Sequence, residues 1–350
     1  MTRSELTLDL GAIRRNAATL LRALAGAELW AVVKADGYGH GAADVARAAV
    51  DGGATALCVA TVPEALGLRG ALGPVRTIVM GPASSQEIGA ARDASLELVV
   101  AAGAIPEGVR VHLKLDTGMG RWGLSELPAP ISPAGREVVG LMSHLASADC
   151  DSAFTELQIE RFLRATDASP GLTRHLANSA GALRYPASAF DAARCGIALY
   201  GISPFGESPA ADGLEPALRW DSLLAQVKLL RAGESTGYGR RYLAERATWI
   251  GIVPVGYADG FRRGLTGTEV LVAGERRRVV GTVSMDAFAV ELDRELPVGT
   301  PVTLIGDGVE VESHARTAGT IGYELVTGLN RSPERSHRLV IDSERGAASA

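Results

Sequence analysis

The chain has 350 residues, a formal net charge of −5 and a pI near 5.8, an acidic balance that speaks against a nucleic-acid binder, which needs a basic patch. Hydrophobic residues make up 47% and the mean hydropathy is +0.13, which suits one large or two ordinary domains and argues against global disorder. The N-terminus carries no apolar signal core, no apolar run is long enough to span a bilayer, and Cys58, Cys150 and Cys195 are scattered without metal-ligand spacing. The expectation is a cytoplasmic protein with free thiols, no structural metal and no membrane contact.

Residues 9–24 read as a helix, with Asp9 placed to cap it and Leu10, Ile13, Ala17, Leu20, Leu21 and Leu24 forming an apolar stripe. An apolar strand over 29–33 runs into Lys34, then a glycine-rich turn, then a helix over about 41–49. Short apolar runs and helical patterns alternate from there. Strands are expected to end near Val33, Ala60, Met80, Val100, Leu115, His144, Asn178 and Ile197, with helices near 41–50, 62–71, 85–92 and 152–167. Wholly apolar strands alternating with helices imply a parallel sheet, and eight of them in roughly 200 residues suggest a (β/α)8 TIM-like barrel. Little helix signal lies between 100 and 109 or over 127–133, so two outer helices are expected to be short or missing. From about Arg219, apolar runs at 223–230, 249–255, 269–272, 278–283, 288–292 and 301–305 alternate with Gly, Asp or Pro turns, the pattern of an antiparallel β domain. One helix is expected to start near Ser313 and end before Gly319. The expected organisation is a barrel over 9–218, a mostly antiparallel β domain over 1–8 and 219–345, and a frayed tail over 346–350.

The chemistry-bearing residues gather at the proposed strand ends, where barrel enzymes keep their active sites. Lys34 ends a buried strand. Burial lowers a lysine pKa, and a neutral amine is a nucleophile that forms Schiff bases. A lysine that snorkels to water fits the stretch equally well. Gly37, Gly39 and Gly41 lack the spacing of a dinucleotide fingerprint. Asp116-Thr117-Gly118 hints at an aspartic protease, but that chemistry needs two carboxylates sharing a proton and no second such triplet exists. Ser179 and the amides of Gly196 and Ile197 follow strands seven and eight, where barrels often bind phosphate.

The stretch Ala31-Val32-Val33-Lys34-Ala35-Asp36-Gly37-Tyr38-Gly39-His40-Gly41 closely resembles the pyridoxal phosphate lysine motif of bacterial alanine racemases. The likeness runs on in order through residues 114–121, 142–149, 175–179, 194–201, 235–239, 256–260 with Arg263, 284–286 and 321–324, and spans nearly the whole chain. It implies that Lys34 carries the cofactor. Tyr38, Ser179, Gly196, Ile197 and Tyr323 would serve its phosphate, with Asn178 beside them. Arg121 would contact the cofactor's phenolic oxygen and the substrate carboxylate. The resemblance also suggests a carbamylated Lys114 holding Arg121, against the plainer reading of a buried salt bridge from Lys114 to Asp116 or another acid. Arg194 would face the ring nitrogen. A guanidinium only donates, so it disfavours protonation there and weakens the electron sink, which suits racemisation.

Racemisation needs an acid–base group on each face of Cα. The resemblance makes Lys34 one and Tyr238, from the partner subunit of a homodimer, the other, with a chain Tyr238–His144–Arg194 supplying positive charge to the phenol. Tyr257, Met285 and Asp286 would approach the substrate. The implied activity is interconversion of L- and D-alanine, supplying D-alanine for peptidoglycan. Its rivals are a racemase of another small amino acid such as serine, a decarboxylase of similar architecture, and a non-catalytic pyridoxal phosphate-binding protein. Thr282 departs from the family pattern, standing where many members have an entrance arginine, and Gly322 replaces a larger residue before Tyr323.

Overall fold

The computed structural model describes residues 2–343 and divides into two compact units. One comprises residues 13–205 and 212–215. The other comprises the residues up to 12, 206–211, and those from 216 onward. The expected tail at 346–350 lies outside the described residues.

The first unit is a closed barrel of eight parallel strands: Glu28–Val32, Ala56–Val59, Thr77–Val79, Glu97–Val100, Arg110–Lys114, Glu137–Met142, Thr173–His175 and Ala192–Cys195. The last closes on the first, pairing Trp30 with Arg194. Each strand ends within three residues of the position read from sequence, because most of these strands are buried and largely apolar. The helices Ala42–Asp51, Val62–Leu72, Ser85–Asp93 and Ser152–Thr166 stand where the sequence placed them. Two of them open on capping boxes, Thr61 with Glu64 and Ser84 with Glu87. Among the described residues no helix follows Glu97–Val100 or Arg110–Lys114, as expected. Fully buried Trp30 fills the barrel interior, its ring 4.6 Å from His175 and 5.7 Å from His112.

The second unit is a nine-stranded sheet in the order Gln226–Leu230, Thr248–Val253, Phe288–Leu292, Glu275–Val280, Glu269–Val272, Pro301–Ile305, Leu218–Leu223, Glu5–Asp9 and His337–Ile341. All neighbours are antiparallel except the last pair. The apolar run 223–230 is not one strand. It straddles the turn between Leu218–Leu223 and Gln226–Leu230, where Leu224 is apolar because it is fully buried, not because it extends a strand. Phe261 stacks on Phe288 at 4.2 Å and meets Trp220 edge-on, forming the aromatic heart of this unit. The helix expected near Ser313 is Val311–Ala318. A second, Gly322–Thr327, carries Tyr323 and was not foreseen.

Candidate active site

Lys34 follows the barrel strand Glu28–Val32 and opens a turn of unusual hand. Ala35, Asp36 and Gly37 have φ and ψ near +50°, and Tyr38 has φ +51°. This is one turn of left-handed helix, closed by Gly37 N–H on the Val33 carbonyl and Gly39 N–H on Ala35. It costs about 1–2 kcal/mol for each non-glycine residue and persists only where its surroundings over-determine it. At its exit the Asp36 carboxylate accepts the Ala42 amide at 2.8 Å, starting the next helix. Burial, and after it the charge of Arg121, lowers the Lys34 pKa below the usual lysine value.

Tyr38 lies flat on Tyr200, ring centroids 5.0 Å apart, and Tyr200 donates to the Val32 carbonyl at 2.9 Å. Gly196 is packed so closely that a Cβ there would lie 2.4 Å from the Tyr38 hydroxyl oxygen. Gly196→Ala is therefore expected to displace the Tyr38 ring and to destabilise the protein by about 1–3 kcal/mol, read as a lower urea midpoint. An unchanged midpoint would mean that the ring has room to move. Ser179 Oγ accepts the amides of Gly196, at 3.1 Å, and Ala198, at 3.3 Å. Ala198 was not anticipated. Asn178 caps the short helix Ser179–Arg184 through Gly181 N–H.

Arg194, on the strand Ala192–Cys195, is buried. Nη1 donates to the His175 carbonyl at 2.8 Å and to His175 Nδ1 at 2.7 Å. Nη2 donates to the carbonyls of Ser143 and Leu176 and, at 3.2 Å, to His144 Nδ1. Among the described residues all five bonds leave the two terminal nitrogens, so the Nε–H is the donor still to be used. Burial draws the Arg194 pKa down to about 10, still far above neutral pH, so the group is a cation.

A guanidinium only donates, and this fixes the protons downstream. His175 must accept at Nδ1 and so carries its proton on Nε2, which faces His112 Nδ1 at 2.9 Å. His112 then carries its proton on Nε2 and donates to the Glu97 carboxylate at 2.8 Å. Burial pushes the pKa of both histidines down, consistent with neutral rings. Glu97 also takes Arg76 at 3.1 Å and Arg110 at 2.7 Å. Burial alone would raise its pKa, but the hydrogen bonds from His112 and Arg76 outweigh that and hold it at about 2. Glu97 and His112 escaped the sequence reading. The signal was there: a charge within Leu96-Glu97-Leu98 and an imidazole within Val111-His112-Leu113 are out of place in apolar strands.

His144 is neutral too, its pKa held well below normal by burial and then by Arg194. Since Nδ1 accepts from Arg194, its proton sits on Nε2. Buried Gln158 holds the loop beyond it, donating to the His144 carbonyl and accepting the Ala146 amide.

Lys114 is 3% exposed, and among the described residues no carboxylate lies within ion-pair distance of it. The salt bridge to Asp116 is absent; the Asp116 carboxylate accepts the amides of Gly118 and Gly120. Burial, then the charges of Arg194 and Arg121, pulls the Lys114 pKa down to about 8. Its Nζ and the Arg121 guanidinium lie 5.7 and 5.5 Å from the same Trp122 ring, a residue the sequence reading passed over. A cavity of about 350 Å³ opens beside Arg121 and Trp122, walled by Met80, Leu98 and Val100, but Lys34 and Arg194 do not line it.

Ile197 is buried and opens the short 3-10 helix Ile197–Tyr200 of the barrel unit, whereas Tyr238, Tyr257, Met285, Asp286 and Tyr323 belong to the β unit. The loop from Gly256 packs against that from Ser284, with Tyr257 N–H on the Ser284 carbonyl and Ala258 N–H on Met285. Tyr257 and Met285 are exposed, and Asp286 is ion-paired at 2.7 Å with Arg335, which also holds buried Asp259. Thr282 is buried and donates its hydroxyl to the Tyr238 carbonyl at 2.9 Å, so this departure from the pattern supports the Tyr238 loop. The Tyr238 side chain is exposed. Tyr323 lies on the helix Gly322–Thr327.

Residues 8–204 match the family profile "Alanine racemase, N-terminal domain" and residues 217–337 match "Alanine racemase, C-terminal domain". An alanine racemase of Beutenbergia cavernae is 43% identical over 94% of this chain and 96% of its own length. The alanine racemase structure from Streptomyces coelicolor A3(2) superposes with a TM-score of 0.90 at 37% identity, covering 97% of this chain and 98% of that one. The structure of the Bartonella henselae alanine racemase, solved with covalently bound pyridoxal phosphate, superposes at 0.87 with 27% identity, covering 97% of this chain and all of that one.

Proposed function

The chain belongs to the alanine racemase family, and from that premise we propose that it interconverts L-alanine and D-alanine with pyridoxal 5′-phosphate as cofactor. The observation that carries the reading is Arg194, a buried, donor-only cation whose Nε–H is unspent beside a lysine that burial makes easier to deprotonate. The residues fit the group. Lys34 would hold it covalently, Ser179 with the amides around Gly196 and Ile197, Asn178, Tyr38 and Tyr323 would hold its phosphate end, and Arg121 and Arg194 would face its ring. When bound, pyridoxal phosphate supplies the electron sink that makes the Cα proton of an amino acid acidic. Arg194, a permanent cation, would face the ring nitrogen and keep that sink weak, which would favour prompt return of the proton to Cα.

Arg121 would bind the substrate carboxylate, and the β unit of a second copy would complete the site, with the Met285 backbone amide on that carboxylate and Tyr257 and Asp286 narrowing the entrance. The Tyr238 oxygen takes the Cα proton of L-alanine, and the Lys34 amine gives one to the opposite face; the two exchange roles for D-alanine. The exposed Tyr238 ring supports service to a second copy, hence a homodimer. His144, neutral with its proton on Nε2, is suited to donate to the Tyr238 oxygen, passing on the field of the Arg194 cation. The unpaired Lys114 amine supports carbamylation, since a neutral amine adds carbon dioxide and the product is an anion for Arg121. The free cysteines fit a cytoplasmic enzyme supplying D-alanine for peptidoglycan.

Proton NMR of L-alanine with the purified protein in deuterated water, paired with a chiral assay, tests this reading. Loss of the Cα signal with D-alanine accumulating is the expected result. Exchange without D-alanine removes one of the two bases, and no exchange with cofactor bound moves the reading to another small amino acid such as serine, or to a carrier.

A further inference from the structure

The left-handed turn that presents Lys34 is strained, so something must hold it. At its entry the Ala35 amide donates to Glu64 Oε1 at 2.7 Å. The other oxygen, Oε2, accepts the Ala60 amide at 2.7 Å and the Thr61 amide at 3.2 Å. Glu64 is the third residue of the helix Val62–Leu72, whose N-cap is Thr61. A capping box requires only the bond back to the N-cap amide, and here that is the longest of the three. The two short bonds go to groups outside the helix, one of them 29 residues away in sequence.

We propose that Glu64 is the positioning residue of Lys34: one carboxylate, bound at once by the amides of Ala35, Ala60 and Thr61, ties the left-handed turn to the start of the helix Val62–Leu72 and thereby fixes where the Lys34 amine stands. This rests on Lys34 being the cofactor lysine. Glu64 acts on that amine electrostatically as well. The groups that act on Lys34 are the cations Arg121, Arg194 and Lys114, the thiol of Cys58, and Glu64, the carboxylate among them. Burial holds the Cys58 thiol protonated, with its pKa raised to about 12, so Glu64 carries the negative charge that offsets the cations.

The test uses the full chain freed of cofactor and compares Glu64→Gln with Thr61→Ala. Hydrogen exchange reads the turn, and the pH dependence of Lys34 acetylation, followed by peptide mass spectrometry, reads the amine. In E64Q, exchange at residues 35–39 is expected to quicken about tenfold. The pH midpoint of Lys34 acetylation should fall by roughly half a unit or more, because its cationic neighbours are no longer opposed. T61A, which loses the cap hydroxyl but keeps the carboxylate on Ala35, should loosen only the start of the helix and leave both Lys34 readouts unchanged. If E64Q and T61A behave alike, Glu64 is a helix cap and nothing more, and the proposal falls. Should E64Q not fold, E64D decides: it keeps the charge but is a methylene short of Ala35. Faster exchange at 35–39 with a near-normal acetylation midpoint upholds the proposal, and wild-type exchange overturns it. These readouts do not depend on turnover. Wild-type protein that failed to bind pyridoxal phosphate would sink the functional reading while leaving the hold of Glu64 on the turn measurable.

Discussion

Replacing Tyr238 by phenylalanine is expected to slow conversion of L- to D-alanine by about 10²–10⁴-fold, the usual worth of a positioned acid–base group, with pyridoxal phosphate still bound. Racemisation needs both faces of Cα, so conversion should fall in both directions. Proton exchange should be lost on one face only. With Lys34 intact, the Cα proton of D-alanine should still wash out in deuterated water, whereas that of L-alanine should be retained. The structure suits such a role. Tyr238 is 72% exposed, although Thr282 pins its backbone carbonyl and flanking Gly237 and Gly239 take the positive φ values that the loop requires. A loop pinned at its backbone leaves the phenol projecting into solvent, as the proposed role requires. Continued exchange of the L-alanine proton in the variant would remove Tyr238 from the mechanism.

Glu97→Gln is expected to cost about 3–5 kcal/mol of stability at pH 7, the penalty for breaking a buried charge network by removing one partner. The Glu97 side chain is 2% exposed and is bound by Arg76, Arg110 and His112. An amide in its place takes the nearer anion from two guanidinium groups, leaving Arg76 only Glu28 at 3.6 Å and Arg110 only Glu137 at 3.4 Å. Its NH₂ can also turn toward His112, which would reverse the proton order along His112 and His175 and set a donor against Arg194. The pH dependence gives a second readout. The folded pKa of about 2 lies below the ordinary 4.5, so the stabilisation is fully present above pH 4.5 and is lost as pH falls toward 2. That shift corresponds to about 3 kcal/mol. Urea denaturation from pH 7 down to pH 2 should therefore show the variant losing about 3 kcal/mol less than wild type. Parallel acid profiles would show that Glu97 carries no such linkage.

The barrel and most of its helices were legible in the sequence, for a definite reason. A parallel strand covered on both faces is mostly apolar, and the capping residues of the outer helices are local signals. Asp151 accepting the Phe154 amide and Ser84 bonding Glu87 can be read within four residues. Legibility failed where the cause was remote. Leu224 reads as strand because it is apolar, yet it is buried at a turn. The helix bearing Tyr323 has only six residues, too few for a periodic signal. The salt bridge allowed for Lys114 does not form, and Asp116 instead binds the amides of its own loop, which no local pattern announces.

By itself the sequence determined the architecture and the family, since ordered motifs around Lys34, Arg121, Arg194 and Tyr238 need no coordinates to be recognised. Only the tertiary structure decided how those residues are tuned. The protons on His144, His175 and His112 follow from Arg194 being unable to accept and Glu97 being unable to donate, and these groups meet only because the barrel closes. The hand of the turn after Lys34 is likewise a tertiary choice. No local propensity sends Ala35 and Tyr38 to positive φ; closed hydrogen bonds to the Glu64 and Asp36 carboxylates hold the ends of that segment where the chain alone would not.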